Sequence, residues 1–339
     1  MAVLITGGAG FIGLNLAEAL LARGASVVLM SRSPVPEAAA RSLSRLPGSL
    51  IAVTGDVRKR RDVERVLEAY RPERVVHGAA VTPGGKRERS ATRLAVEVNV
   101  LGTLTTLEAA RDHGITRFLF LSSASVYGSN AFGSTVLDEE RVTPAAEAIY
   151  PITKLAAEKL SLRLSVLHGL EVIACRIGSA FGPWERDTGA RETLSPILQV
   201  TALAAEGRTA VLPRRGRRDW IYSRDVAAAL VALLDAPMPM LRVYNVGLGR
   251  EWSVEDWCAK LVTAFPGFTY CLAGKRTPAN IDYQGDRDRA PLAIDRLARD
   301  VGFRPRFGLD EAFSDYLDWL SMHRDFLRGG RTRVPPFCG

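Results

Sequence analysis

Cysteine, histidine and lysine are scarce in this chain of 339 residues, which contains four cysteines and four histidines. The cysteines Cys175, Cys258, Cys271 and Cys338 have no metal-ligand spacing, and the histidines do not complete a metal site with them. We therefore expect reduced thiols, no metal and a cytoplasmic location. Long apolar runs are missing too, since none approaches the roughly 20 residues of a membrane-spanning helix. The first ten residues, MAVLITGGAG, lack the basic segment and cleavage site of a signal peptide.

The net charge of +8 comes from an excess of arginine, since only six of the 45 basic residues are lysines. A basic balance can indicate binding to nucleic acid or to anionic membranes. Here the arginines are spread along a chain rich in alanine, leucine and glycine, which we interpret as a compositional bias. We expect no nucleic-acid or membrane partner. The denser basic clusters, which we interpret as solvated faces, lie at 58–65, 84–90 and 213–220.

Short apolar runs alternate with helical patterns through the first two-thirds of the chain. The runs lie at 2–6, 26–30, 50–55, 74–80, 118–123 and 171–178, and the helical patterns at 11–23, 60–70, 92–113 and 150–168. Runs without period-two alternation predict strands covered on both faces, and their spacing predicts right-handed βαβ crossovers. The predicted fold class is α/β, with a doubly wound parallel (Rossmann) sheet.

The pattern loosens after Pro183 and predicts a smaller, mostly helical C-terminal substrate lobe. Ser253 and Asp256 predict a capping box at the start of a helix. The other predicted elements are helices at 195–206, 225–235 and 307–327, and strands at 210–213 and 242–247. We expect a dinucleotide-binding domain at 1–182 plus 210–247, a substrate lobe at 183–209 plus 248–330, and a tail at 331–339.

The segment ITGGAGFIG follows the first predicted strand and precedes a helix. It places Gly7, Gly10 and Gly13 where a tight turn and close backbone approach are needed, with Phe11 and Ile12 opening the helix. The N-terminus of such a helix offers N–H groups and a positive dipole to a pyrophosphate. In this strand–turn–helix context the segment predicts a dinucleotide-binding loop.

The end of the second strand in such folds distinguishes NAD from NADP. An acidic residue there binds the ribose of NAD, whereas a small polar residue with an arginine accommodates the 2′-phosphate of NADP. This chain has Ser31 and Arg32 and no carboxylate, which favours NADP. Asp56 and Val57, after the third strand, are placed to contact the adenine.

Tyr150 and Lys154 lie four residues apart at the start of a predicted helix and hence on one of its faces. An ammonium beside a phenol favours the phenolate, and a positive nicotinamide ring would add to this effect. Both lower the phenol pKa from its reference value of about 10, which makes Tyr150 a candidate general acid and base.

Together these segments resemble the NAD-dependent epimerase/dehydratase family of extended short-chain dehydrogenases/reductases. The motifs that carry the resemblance run in family order to about residue 250: TGGAGFIG (6–13), HGAA (77–80), VNVLGT (98–103), SSASVYG (122–128), YPITK (150–154), RIGSAFGP (176–183), RDWIYSRDV (218–226) and YNVGLG (244–249).

The resemblance implies that Ser123, Tyr150 and Lys154 form the catalytic set. Tyr150 would exchange the proton of a sugar hydroxyl, Ser123 would bind that oxygen, and Lys154 would bind the nicotinamide ribose. It further implies cofactor contacts by Ala79, Ala80, Asn99 and Ser122, and substrate contacts by Ser125, Ser179, Arg191 and Arg218, with Arg218 aimed at a diphosphate.

Two departures from the family pattern bear on the reaction. The 4,6-dehydratases of the family carry an aspartate and a glutamate directly after the catalytic hydroxyl, where this chain has Ala124 and Ser125. Neither residue can act as a carboxylate acid or base, so dehydration is not expected. The asparagine that family members direct at the substrate is replaced by Ser179, which weakens the assignment of a nucleotide sugar.

Three functions remain open on the sequence. The first is a 4-epimerase or 4-keto reductase of a nucleotide sugar. The second is an NAD(P)-dependent dehydrogenase of a free sugar acid, polyol or small hydroxy acid, suggested by Ser179 and the arginines at 183–196. The third, disfavoured because Ser123, Tyr150 and Lys154 are all retained, is a non-catalytic relative that binds RNA or senses redox state. The resemblance also implies a homodimer formed through the helices at 92–113 and 150–168.

Overall fold

The computed structural model describes residues 2–237, 241–283, 285–323 and 326. Its strands are β1 Ala2–Thr6, β2 Ser26–Ser31, β3 Ser49–Thr54, β4 Arg74–His77, β5 Arg117–Ser123, β6 Glu171–Ile177, β7 Ser179–Phe181, β8 Ala210–Leu212, β9 Arg217–Arg218, β10 Trp220–Tyr222, β11 Val243–Val246, β12 Trp252–Ser253 and β13 Tyr270–Leu272. Its α-helices are α1 Phe11–Ala22, α2 Glu37–Leu43, α3 Arg60–Tyr70, α4 Glu88–Ala95, α5 Gly102–Asp112, α6 Ile149–His168, α7 Pro196–Ala205, α8 Ser223–Asp235, α9 Val254–Ala264, α10 Asp295–Val301 and α11 Leu309–Met322.

Seven strands form one parallel sheet in the order β11-β6-β5-β4-β1-β2-β3. The apolar runs of β1, β2, β4, β5 and β6 are covered on both faces, as predicted. The prediction is wrong for β3, which is largely exposed at the edge of the sheet. Val3 and Ile5 pack toward α1 and α8, whereas the intervening Leu4 packs toward α3 and α5. This alternation follows from the period of two in a strand. The predicted doubly wound Rossmann fold is confirmed.

The helix predicted at 92–113 begins earlier, at Glu88, and is interrupted by a π-helical turn at Val96–Leu101 between α4 and α5. A π-helical turn inserts one residue into a helix and is frequent at functional sites. Gly102 follows it, and a Cβ there would lie 2.7 Å from a methyl carbon of Val57. The absence of a side chain therefore lets α5 pack directly against the loop after β3.

The smaller part of the molecule contains α7, α9, α11 and three two-stranded sheets, in which β8 pairs with β13, β9 with β12 and β7 with β10. The predicted capping box on α9 is present, with the Asp256 amide 3.1 Å from Ser253 Oγ. The division into domains stays a prediction. Because β8 pairs with β13 and not with the main sheet, we propose to place residues 210–213 in the substrate lobe. The tail 331–339 and residues 324, 325 and 327 of the predicted last helix lie outside the described residues.

The basic cluster at 58–65 is largely compensated within the chain. Arg58 pairs with Asp56 and Glu97, at 2.6 and 3.1 Å. Arg60 pairs with Glu64 and Asp112. Among the described residues, no helix combines the length and the hydropathy needed to cross a membrane, and no three potential metal-ligating side chains cluster.

Candidate active site

The glycine loop joins β1 to α1 at the carboxyl edge of the sheet. Gly7 has φ +67°, and a Cβ there would lie 2.8 Å from the Ala79 amide nitrogen, so β4 approaches the loop closely. Gly10 precedes α1 and no side chain caps the helix, which leaves its first amides for a ligand. This arrangement suits the pyrophosphate of a nicotinamide dinucleotide.

The end of β2 contacts the same loop. The Ser31 hydroxyl accepts a hydrogen bond of 2.8 Å from the Ala9 amide, whereas the neighbouring Arg32 is exposed. Asp56, which the sequence predicts near the adenine, accepts hydrogen bonds from Arg58 at 2.6 to 3.1 Å. The hydrogen bonds from Arg58 hold the pKa of Asp56 below its usual value.

The predicted catalytic residues meet at the carboxyl end of β5. Ser123 ends this strand, and its hydroxyl accepts a hydrogen bond of 3.2 Å from the Ser125 amide. Tyr150 lies in the first turn of α6, where the side chains of Ser123 and Thr82 each act to lower the pKa of its phenol. Glu88 positions this helix because its carboxylate accepts a hydrogen bond of 2.6 Å from the Ile149 amide.

The pKa of the Tyr150 phenol is raised, because burial of the phenol outweighs the opposite effects of Ser123, Arg191 and Thr82. The lowered pKa that the sequence predicts from Lys154 is therefore wrong for the protein without cofactor, where burial decides the direction. The Lys154 ammonium lies 4.2 Å from the centre of the Phe120 ring. At neutral pH Tyr150 is therefore a proton donor that needs nearby positive charge to become a base.

Lys154 is 2 % exposed, and burial lowers its pKa to about 7. Burial also lowers the pKa of its neighbour His77, to about 3, with a further contribution from Lys154. The Thr103 hydroxyl donates to the Asn99 carbonyl at 2.7 Å, so it must accept from His77 Nε2 at 3.0 Å. Because its pKa is about 3, His77 is neutral at pH 7 with its proton on Nε2, and its Nδ1 accepts from the Thr6 hydroxyl at 2.9 Å.

Asn99 lies in the π-helical turn and fixes the strand end that carries Ala79 and Ala80. Its amide exchanges two hydrogen bonds of 2.9 Å with the backbone of Val81 and donates a third, of 3.0 Å, to Thr153. Asn99 therefore joins the carboxyl end of β4 to the helix that bears Tyr150 and Lys154. Ala79 packs with Val57 in a small apolar cluster at this edge.

The segment 183–195 lies over the site. Buried Glu185 pairs with Arg191 at 3.0 Å and accepts hydrogen bonds from the Ser195 amide and hydroxyl. Arg191 pairs along the backbone with Thr82, so its positive charge acts on Tyr150. Arg186 donates a hydrogen bond of 2.6 Å to the Ala9 carbonyl of the glycine loop. The segment therefore contacts both the cofactor loop and the catalytic tyrosine.

Hydrogen bonds join the loop after β4 to the segment 183–195. The amides of Gly84, Lys86 and Arg87 donate hydrogen bonds of 2.8 to 3.0 Å to the Glu192 carboxylate. The Thr82 amide donates to the Ala190 carbonyl at 2.7 Å. These bonds fix the backbone that bears Thr82, whose side chain lowers the pKa of Tyr150.

Arg218 lies in β9, 5 % exposed, with its guanidinium 5.7 Å from the Trp220 ring centre. Burial lowers its pKa to about 10, and the positive charges of Arg289 and Arg214 contribute. Burial also lowers the pKa of Arg289. Arg214 pairs with Asp288 at 2.9 Å. The three guanidiniums exceed this one carboxylate in charge, so the region suits a polyanion.

The remaining predicted residues have different surroundings. Ser122 is buried, and its hydroxyl donates to Glu158 at 2.6 Å, so it supports the interior of the sheet edge. The Ser125 hydroxyl oxygen is buried without a hydrogen-bond partner among the described residues. Ser179 begins β7, which pairs with β10 beside Arg218.

Sequence reasoning missed Thr82, Arg289 and Glu158. The position of Thr82 was readable in principle, because it follows the HGAA motif at a strand's carboxyl end, where ligands bind in such sheets. Arg289 lies in an irregular segment more than 70 residues after Arg218, where no local pattern connects the two.

Comparisons with known proteins agree with this geometry. The model of the NAD dependent epimerase/dehydratase family matches residues 3–247. The dTDP-L-rhamnose 4-epimerase of Burkholderia thailandensis is 27% identical, over 95% of this chain and 96% of that protein. A dTDP-glucose 4,6-dehydratase of Xanthomonas campestris pv. campestris is 28% identical, over 96% of this chain and 95% of the relative.

Among solved structures, MoeE5 in complex with UDP-glucuronic acid and NAD superposes with a TM-score of 0.77 at 26% identity, covering 95% of this chain and all of MoeE5. The family model spans the glycine loop, the Ser123–Tyr150–Lys154 set and Arg218. The chain belongs to the NAD-dependent epimerase/dehydratase family, whose members are enzymes of the extended short-chain dehydrogenase/reductase type.

Proposed function

We propose that this protein is a 4-epimerase or 4-keto reductase of a nucleotide sugar, with Ser123, Tyr150 and Lys154 as catalytic residues. The observation that carries the proposal is that Ser123, at the end of β5, and Tyr150, in the first turn of α6, lie close enough for the Ser123 side chain to lower the pKa of the phenol. Ala124 and Ser125 follow Ser123 directly and supply neither of the carboxylates that dehydration needs. The family includes both epimerases and dehydratases, so this local chemistry is the basis of the choice.

A bound nicotinamide dinucleotide supplies the acceptor and donor of hydride at the sugar carbon. Ser123 binds the sugar oxygen, and Tyr150 removes its proton during oxidation and returns it during reduction. The raised pKa of Tyr150 favours the neutral phenol that reduction requires. The charges of Lys154 and Arg191 favour the phenolate that oxidation requires. Two opposing influences on one phenol suit a residue that works in both directions.

Arg218 and Arg289 support a nucleotide diphosphate as the recognition element. Both are partly or fully buried, and the pKa of each is lowered by burial. A diphosphate provides charge-assisted hydrogen bonds to more than one guanidinium.

The choice between NAD and NADP is proposed from Ser31 and Arg32. The exposed Arg32 is available to a 2′-phosphate, which favours NADP. However, the Ser31 hydroxyl already accepts from Ala9. Calorimetric titration with NADH and NADPH tests the proposal. Wild type should bind NADPH more tightly than NADH, and Arg32→Ala should remove this difference.

A homodimer is proposed from the apolar surface of the helices that the sequence singles out. Val96 and Leu101 in the π-helical turn are 41% and 50% exposed, and Ile152 and Leu160 in α6 are 43% and 42% exposed. These two elements pack against each other, so a second copy could complete a four-helix bundle. Sedimentation of wild type and Leu101→Glu tests this proposal.

A dehydrogenase of a free sugar acid is the second candidate. Arg191 favours it, because its positive charge acts at the reacting phenol and could bind a carboxylate close to the carbinol. MoeE5, whose complex contains UDP-glucuronic acid, suggests an intermediate case in which the acid is nucleotide-linked.

Product analysis distinguishes these functions. The protein is incubated with NAD or NADP and with UDP-hexoses, UDP-uronic acids, dTDP-hexoses and free aldonates, and the products are identified by NMR. A parallel incubation contains NADH or NADPH and a nucleotide-linked 4-keto hexose, because a reductase needs a reduced cofactor and a ketone. We expect a C4 epimer, or reduction of a 4-keto sugar, with a nucleotide-linked substrate. Tyr150→Phe should abolish this activity, while Tyr70→Phe, an exposed control, should retain it. Net NAD(P)H formation with free acids alone would establish the second candidate instead.

A further inference from the structure

A buried carboxylate lies behind the catalytic residues and takes no part in the reaction described above. Glu158 is completely buried in α6. Its carboxylate pairs with Arg176 through two hydrogen bonds, of 2.7 and 3.1 Å, and accepts a third, of 2.6 Å, from Ser122. These three donors, two of them from a guanidinium of opposite charge, compensate for the burial of the carboxylate.

Glu158 occupies the same face of α6 as the catalytic pair. Tyr150, Lys154 and Glu158 follow one another at intervals of four residues, which aligns them in one stripe. Side chains four residues apart on a helix have Cβ atoms about 5–6 Å apart. Lys154 therefore lies between the phenol that it must influence and a fixed negative charge.

The other groups around Lys154 do not supply negative charge. On β4, His77 is neutral because burial lowers the pKa of its imidazole to about 3. On β5, Phe120 presents its ring. On β6, burial and then Glu158 raise the pKa of the Cys175 thiol, which stays protonated. The π-helical turn presents the neutral Asn99, through Thr153.

We propose that Glu158 is a positioning residue that keeps the Lys154 ammonium charged inside the protein. The pair with Arg176 holds the Glu158 carboxylate in one orientation. This inference rests on the proposed function, because the charge on Lys154 matters for the Ser–Tyr–Lys chemistry. In agreement with it, Glu158 raises the pKa of Lys154 against the stronger lowering by burial.

The test is a direct titration of Lys154 in the full-length protein without substrate. The chain contains only six lysines, so NMR of protein labelled at lysine Cε gives few signals, and Lys154→Arg identifies the one from Lys154. In Glu158→Gln the pKa of Lys154 should fall by about one to two units, from a charge at about 6 Å in an effective dielectric of about 20. The exposed Lys159 is the internal control and should not shift.

Ser122→Ala is the matched variant, because it breaks a hydrogen bond of the same network and keeps both charges. It should leave the pKa of Lys154 within about half a unit of wild type. If Glu158→Gln fails to fold, the double variant Glu158→Gln with Arg176→Gln removes both charges of the pair. The Lys154 pKa should then fall by less, because the loss of the Arg176 charge partly offsets the loss of the Glu158 charge. An unchanged Lys154 pKa in whichever of these variants folds would overturn the proposal.

Activity supplies a second, separate readout. In Glu158→Gln the alkaline limb of the pH–rate profile should shift to lower pH by the same amount as the Lys154 pKa. In Ser122→Ala the limb should stay at the pH of wild type. A purely structural role would lower the rate at every pH without moving the limb. If no substrate is turned over by wild type, the proposed function fails, and the NMR titration still decides the role of Glu158.

Discussion

Replacing Lys154 by methionine is expected to stabilise the cofactor-free protein while abolishing its activity. The pKa of Lys154 falls from 10.5 to about 7 on folding because the ammonium is buried. The unfolded chain thus binds more protons than the folded one between these pH values, and stability rises with pH across this window. At pH 7 and below, the burial of this ammonium costs on the order of 3–5 kcal/mol. Methionine keeps the contact with Phe120 and carries no charge.

The measurement is urea unfolding of the apoprotein at pH 7 and pH 9.5, followed by tryptophan fluorescence. Lys154→Met should exceed wild type by about 2–4 kcal/mol at pH 7, and the difference should shrink at pH 9.5. Lys159→Met, an exposed lysine on the same helix, should change stability by less than about 0.5 kcal/mol. A Lys154→Met variant that is less stable than wild type at pH 7 would refute the reasoning.

The remaining predictions concern the backbone, acid stability and substrate recognition. Gly128 has φ +55° and ψ −130°, and a Cβ there would lie 1.7 Å from the Ala145 carbonyl oxygen. Gly128→Ala should therefore lower the free energy of unfolding, measured in urea, by more than about 3 kcal/mol, and an unchanged free energy would contradict this geometry. His77 stays neutral when folded, with a pKa of about 3, whereas in the unfolded chain it takes up a proton below about pH 6.5. His77→Gln should therefore reduce the loss of unfolding free energy on acidification by about 1.4 kcal/mol per pH unit below pH 6.5. If the unfolding free energy of the variant falls with pH as steeply as that of wild type, other groups cause the loss. Arg218→Met should raise KM for nucleotide sugars at least tenfold with a smaller effect on kcat, and an equal loss with free sugars would argue against diphosphate recognition.

The main sheet was predictable because its signals are local. The strands and the helices at 11–23, 60–70 and 150–168 carry their periodicity in the sequence, and the structure places their ends within a few residues. The strand at 210–213 is present as β8, but its pairing with β13 depends on a segment 60 residues later in the chain. Pattern alone cannot identify a partner at that distance.

The site was predictable where a motif fixes a backbone position and less so where a partner decides the chemistry. The glycine loop and the Tyr150–Lys154 spacing specify geometry directly. In contrast, the Ser122 hydroxyl donates a hydrogen bond to Glu158, and Asp56 is paired with Arg58. Both contacts arise because a carboxylate inside a protein needs hydrogen-bond donors or an opposite charge. The pKa of Tyr150 depends on the burial of its phenol, which no spacing reveals.

The central claim is that hydride leaves and returns at a single sugar carbon under the control of Tyr150. It is tested most directly with UDP- and dTDP-hexoses deuterated at C4, incubated with the cofactor-loaded enzyme and analysed by mass spectrometry and NMR. The account predicts an epimer of unchanged mass, with deuterium retained at C4 in the inverted configuration, and no reaction in Tyr150→Phe. A product lighter by one water, or undiminished conversion by Tyr150→Phe, would contradict it.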